Sequence, residues 1–266
     1  MLGGFVLIGQ AAGTYELTAL AARPPSGTVV TVGLLLVLLA LAIAIPSAAH
    51  ARYQKTKPVG WGPRTSKAAA KLVNRNGFEP RKMNFRDNHR VPGKKLLRAW
   101  RKRSDMPYKQ FVDGRFKGTT DEIIQWASLK WGIDTDTMRA AAAVESWWDM
   151  DTLGDNGDSF GLYQVRRPYH CWGDCKIARY FTAFNADYYG AIIRSYYDGK
   201  QTWLNTVTGN GKTYRAGDLQ GSMGAWYSGR WWGPPDRPIQ PYIDAIAQRK
   251  AEKIWKHPDF IAYRGN

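Results

Sequence analysis

Apolar and polar positions divide the chain into three stretches. The first holds Val29–Ile45, seventeen residues without a charge, followed by Pro46 and Ala49–His50–Ala51. An apolar run, a helix breaker and an A-x-A site in that order describe a secretory leader, and the run is shorter than the ~20 residues a spanning helix prefers. Against cleavage and export stand the single basic residue ahead of the run, Arg23, and the dense Arg52, Lys55 and Lys57 behind it. A positive flank opposes translocation, so an uncleaved membrane anchor is the alternative reading of residues 1–51.

Residues 52–118 have little apolar periodicity and are broken by Pro58, Pro63, Pro80, Pro92 and Pro107. Short helices fit Ser66–Asn74 and Gly93–Arg103, but the apolar surface available to pack them is small. The expectation is a solvated, partly disordered arm.

From residue 119 the pattern turns helical. Thr119–Thr120–Asp121–Glu122 fits a capping box, Ile123, Ala127 and Trp131 form one stripe, and Gly132 is placed to stop the helix. Asp134 or Thr135 can cap a second helix that runs to Glu145. Asn185–Tyr197 turns Tyr189, Ile192, Ile193 and Tyr196 inward and ends at Gly199, while Pro241 opens a last helix, Tyr242–Trp255, with Ile243, Ile246, Ala247 and Ile254 on one side. No long period-two alternation interrupts this, so residues 119–266 are expected to form a mainly α domain.

Charge sharpens the division. The net charge of +16 falls entirely on residues 52–118, with 20 Lys and Arg against 4 Asp and Glu, whereas residues 119–266 carry 17 of each sign. An arm of that charge is suited to anionic polymers or a phospholipid surface. Charge alone would equally attract nucleic acid, but no nucleic-acid motif accompanies it, so no specific nucleic acid is expected. The two cysteines, Cys171 and Cys175, are spaced for a local disulfide in an exported protein; even with His170 they make a poor zinc set.

Candidate chemistry starts at Glu145. On a helix, Met138, Ala141, Ala142 and Glu145 share one face, so a carboxylate stands where an apolar residue is expected. Burial raises the pKa of such a group, and a carboxyl that stays protonated near neutrality can act as a general acid. The four Asp of the following loop, Asp149, Asp151, Asp155 and Asp158, lack the EF-hand spacing. They read as turn formers or as the source of a second, water-activating carboxylate. No metal or organic cofactor is implied.

Glu145–Ser146 followed by Gly161–Leu162–Tyr163–Gln164 resembles the Glu-Ser and Gly-Leu-Met-Gln motifs of the soluble lytic transglycosylases, lysozyme-like enzymes related to goose-type lysozyme. The resemblance extends over roughly Thr119–Trp255, with Tyr163 in place of Met. It implies a lysozyme-like fold and cleavage of the MurNAc–GlcNAc bond of peptidoglycan with 1,6-anhydromuramoyl ends. In that family one glutamate serves as acid and then base, a role that would fall to Glu145. Ser146 would orient the site, and Gly161 and Gln164 would line the cleft, with Ser159 and Tyr163 among the binding or orienting residues.

Ala225–Trp226–Tyr227–Ser228–Gly229 resembles the family's Ala-Tyr-Asn-Ala-Gly segment, with Trp226 for Tyr and Tyr227 for Asn. Tyr242 resembles a late tyrosine whose hydroxyl approaches the glutamate. Such a substrate places the protein outside the membrane, in the envelope, cell wall or medium. A goose-type hydrolase and a non-catalytic glycan-binding protein are the alternatives.

Overall fold

In the computed structural model the chain divides into two units, 1–48 and Ala49–Asn266. The structure describes residues 54–206, 211–234 and 237–265. The leader or anchor expected in residues 1–51 lies outside the described residues. Among the described residues no helix is long and apolar enough to cross a membrane.

In chain order, the second unit opens with three short helices, α1 (Ser66–Ala70), α2 (Phe85–Asn88) and α3 (Lys94–Arg103). Then come α4 (Thr120–Trp131) and α5 (Thr135–Ser146), and a three-stranded antiparallel sheet of β1 (Leu153–Gly154), β2 (Ser159–Phe160) and β3 (Val165–Arg166). α6 (Lys176–Arg179), α7 (Thr182–Tyr197), α8 (Leu219–Ser228), α9 (Gln240–Glu252) and α10 (Pro258–Ala262) complete it. The unit is mainly α, as the periodicity implies.

The local signals act where they are placed. Thr119 and Glu122 close a reciprocal capping box, and Gly132 ends α4 in the left-handed region at φ 63°. A Cβ there would meet the Trp61 ring at 2.6 Å, so the glycine serves both the turn and the packing. Asp134 caps α5 by accepting from Thr137 N at 2.7 Å. The last long helix stops at Glu252, ahead of the expected Trp255, because Lys253 takes the left-handed conformation, and Ala247 faces solvent.

α4 is buried over its whole length although it carries Asp121, Glu122, Gln125 and Lys130. Polar groups tolerate burial when they are paired. Arg139 holds Asp121 at 2.7 Å, and Lys130 Nζ reaches Asp187 Oδ2 on α7 at 2.7 Å. Gln125 Nε2 donates to Asp121 Oδ2 at 2.7 Å within the helix, and further partners come from the basic segment. Arg75 pairs with Glu122 at 2.9 Å, Asn74 N donates to Gln125, and Ser66 and Asp113 meet Lys130.

The expected arm of residues 52–118 is therefore corrected: from residue 54 it is an ordered wall of the same unit. Ala69, Leu97, Trp100, Met106, Val112 and Phe116 enter the common core, and Trp100 sets its ring edge against Phe184 and Tyr188. Arg81 is wholly buried, donating to Trp147 O and Phe260 O at 2.7 Å each and lying over the Phe260 ring. Much of this attachment is made by hydrogen bonds and cation–π contacts, which leave no hydrophobic period in the sequence.

Candidate active site

α5 delivers Glu145 in its last turn, and the chain leaves that turn by an uncommon route. Trp147 and Trp148 are both left-handed, at φ 55° and 66°. Two bulky residues in that region are held there from outside. Arg81 Nε donates to Trp147 O, and Asn84 Nδ2 donates to Trp148 O at 2.7 Å. Asn84 Oδ1 accepts from Met150 N at 2.9 Å, and Trp148 Nε1 donates to Arg139 O at 2.8 Å. Residues of the basic segment thus fix the turn that aims the glutamate.

Glu145 lies among the lining residues of a cleft of about 960 Å³. Its Oε1 accepts from Tyr242 Oη at 2.5 Å and from Trp226 Nε1 at 3.2 Å. Burial drives its pKa up to about 7, against the opposing pull of those two donors, and Asp155 adds a smaller upward push. Burial beside Glu145 keeps the Tyr242 phenol protonated, so it remains a donor. Around this pair Tyr227 stacks on Tyr242 at 4.6 Å, and His170 stacks on Trp226 at 4.7 Å. The result is a protonatable carboxyl in a cleft rich in aromatic faces, a surface suited to stacking on sugar rings.

The sequence-derived residues separate by location. Glu145, Ser159, Gln164, Trp226 and Tyr227 line the cleft, and Tyr242 reaches it through Glu145. Ser146 does not face the cleft chemistry: its Oγ donates to Leu162 O at 2.8 Å and to Ala142 O at 3.3 Å, tying the 161–165 turn to α5. Ser159 Oγ donates to Asp155 Oδ2 at 2.5 Å. Gln164 Nε2 donates to Gly161 O at 2.9 Å and Thr152 O at 3.2 Å, which holds the sheet and its turn together.

Gly161 and Tyr163 are not among the residues that line the cleft. At φ 73° the missing Cβ of Gly161 makes room for the side chains of Met150 and Asn185, each at 2.8 Å, rather than opening the backbone to the cleft. Tyr163 is fully buried, stacks on Tyr189 at 4.1 Å, and places its hydroxyl on Met138 O at 3.0 Å. It supports the helix of Glu145 from within. The Cys171–Cys175 disulfide is present.

Among the four loop aspartates only Asp155 lines the cleft; it also lies 3.5 Å from Arg166 Nε. Asp158 pairs with Arg167, and Asp149 accepts from Tyr263. Among the described residues no three His, Cys, Asp or Glu are grouped to hold a metal ion.

His170 is a cleft residue that sequence reasoning misses. Its Nδ1 bonds the Tyr188 hydroxyl at 2.7 Å, and burial, with the nearby Arg166 cation second, pushes its pKa down to about 4. Tyr188, Asp105 and Met106 also line the cleft, the last two from the basic segment. Their one sequence signal is negative, an apolar residue and an acid inside a basic stretch. Compared with family models, curated proteins and solved structures, the chain gives no significant match.

Proposed function

We propose that this protein is a peptidoglycan lytic transglycosylase that cleaves the MurNAc–GlcNAc bond. The observation that carries the reading is Glu145, a carboxyl with a pKa near 7 in a large aromatic cleft, bonded by Tyr242 and Trp226. About half of such groups are protonated at neutral pH, so one group can give and later take a proton.

Glu145 protonates the glycosidic oxygen as the C1–O bond breaks, and the leaving sugar departs as an alcohol. Positive charge develops at C1, where the N-acetyl oxygen of the same sugar can share it. Glu145, now ionised, takes the proton of the C6 hydroxyl, whose oxygen bonds to C1. The 1,6-anhydro ring closes without water, and Glu145 ends protonated as it began. Tyr242 and Trp226 stabilise the carboxylate between the two transfers, since both donate to its Oε1. Such a substrate lies outside the cell membrane, where a disulfide such as Cys171–Cys175 persists.

Asp155 favours a second reading, hydrolysis, because it is a second carboxylate in the same cleft. In that reading it activates a water in place of the C6 hydroxyl. Ser159 Oγ and Arg166 both meet its Oδ2, so in that reading the water would be held by Oδ1. Mass spectrometry of digested glycan strands separates the two. Anhydro ends, one water lighter than reducing ends, are expected; reducing ends alone overturn the transglycosylase reading.

A further inference from the structure

Part of the charge of the basic segment is gathered along one helix. Along α3 the sequence Lys94-Lys95-Leu96-Leu97-Arg98-Ala99-Trp100-Arg101-Lys102-Arg103 turns Leu97 and Trp100 into the core. Three- and four-residue spacing then lines up Lys94, Arg98 and Arg101. With Arg115 from the loop beyond, and Leu97 beneath, they surround a hollow of about 270 Å³. Arg101 is pinned there by donating to Val112 O at 2.8 Å and Lys109 O at 3.3 Å, two carbonyls that leave its charge uncompensated. Lys94, Lys95, Arg98, Lys102 and Arg115 are exposed and form no ion pair among the described residues. The nearby acid Asp113 is already held by Lys130 and Ser66.

We propose that this face of α3, with Arg115, is a docking surface for a linear phosphodiester polymer, one phosphate seated among Arg98, Arg101 and Arg115. Guanidinium groups match phosphate oxygens in paired hydrogen bonds, and a line of cations tracks a chain of regularly spaced anions. Two features of the face select this partner. Leu97 and Trp100 point inward and Leu96 is half-buried against the core, so α3 leaves no fully exposed large apolar residue to anchor it in a bilayer. Trp100, the aromatic residue of the helix, is 4 % exposed, so α3 offers no platform for stacked bases. The choice of a phosphodiester polymer of the wall rests on the envelope substrate proposed above.

The test is fluorescence anisotropy of a tagged glycerol-phosphate oligomer with the full chain, across a salt series and without glycan. Wild type is expected to bind at low salt. The Arg98→Gln/Arg115→Gln double variant should bind about tenfold more weakly. Its log–log salt slope should be shallower by about 1.4, two contacts at ~0.7 each on a single-stranded polyanion. Lys94→Gln/Lys102→Gln should weaken binding in the same direction, and Lys256→Gln, exposed elsewhere, should not.

Three results overturn the proposal: no binding at low salt, double variants that bind like wild type, or tighter binding of phosphatidylglycerol vesicles or of a single-stranded oligonucleotide of equal charge. Cleavage of short glycan fragments is measured separately, without the oligomer. Loss of cleavage activity with intact oligomer binding would remove the enzymatic reading alone; the reverse would remove the docking face alone.

Discussion

Tyr242→Phe removes one hydroxyl and leaves the ring that stacks with Tyr227. That hydroxyl donates to Glu145 at 2.5 Å and favours the ionised carboxylate. Hydrogen bonds to charged groups contribute about 1.5–3 kcal/mol, and one pKa unit corresponds to about 1.4 kcal/mol. Loss of the bond should therefore raise the pKa of Glu145 by roughly one to two units. The Trp226 donor remains, which favours the lower end.

In the proposed mechanism the first step requires the protonated acid, so activity should fall as pH rises through this pKa. The wild-type profile of kcat/KM on soluble glycan fragments should have its falling alkaline limb near pH 7, where Glu145 titrates. In Tyr242→Phe that limb should move up by at least one unit, whatever happens to the maximum rate. A limb that stays in place, or moves to lower pH, would refute the assignment of Glu145 as the acid that Tyr242 tunes.

Stability offers independent checks. Glu145 binds its proton more tightly folded, at about 7, than at its unfolded value of 4.5, so stability falls as pH rises between the two. Glu145→Gln should be more stable than wild type at pH 8 by up to about 3 kcal/mol and nearly equal at pH 4 in chemical denaturation. His170 has the opposite sign: its folded pKa near 4 lies below 6.5, so acidification between those values destabilises the fold, and His170→Phe should flatten that slope. Asn84→Ala leaves Trp148 O and Met150 N without their partner and should cost about 2–4 kcal/mol, read from the denaturation midpoint. A chain starting at residue 119 should lack a cooperative melt, since Arg81, Trp100 and Phe116 leave the core with the deleted segment.

The parts of the fold legible in the sequence are those with local causes. The Thr119–Glu122 box, Gly132 and the Asp134 cap each depend on a few adjacent residues, and each lies where expected. Glu145 is legible because a carboxylate breaks an apolar face. The attachment of residues 54–118 is not, although helices fall within the expected Ser66–Asn74 and Gly93–Arg103, because it is distributed over partners far along the chain, such as Arg81 with Phe260 and Gly60 with Asp198. Charge counting misleads here: a guanidinium over a ring or on a backbone carbonyl is packed material, yet in composition it looks like solvated surface. For Gly161 and Tyr163, short motifs identify the segment but not which face it presents. His170 is hidden because its place in the cleft depends on stacking from its turn against Trp226, a residue of the distant helix α8.

The central claim is that the Glu145 carboxyl performs the bond cleavage. Its most direct test is turnover of a defined glycan oligomer by wild type and Glu145→Gln, with oligomer affinity measured on the same samples. Gln keeps the shape and can accept from Tyr242 and Trp226, but it cannot give a proton at neutral pH. Turnover is expected to fall by two to four orders of magnitude, about the contribution of general acid–base catalysis, with affinity within a few-fold of wild type. Normal turnover by Glu145→Gln would contradict the claim outright.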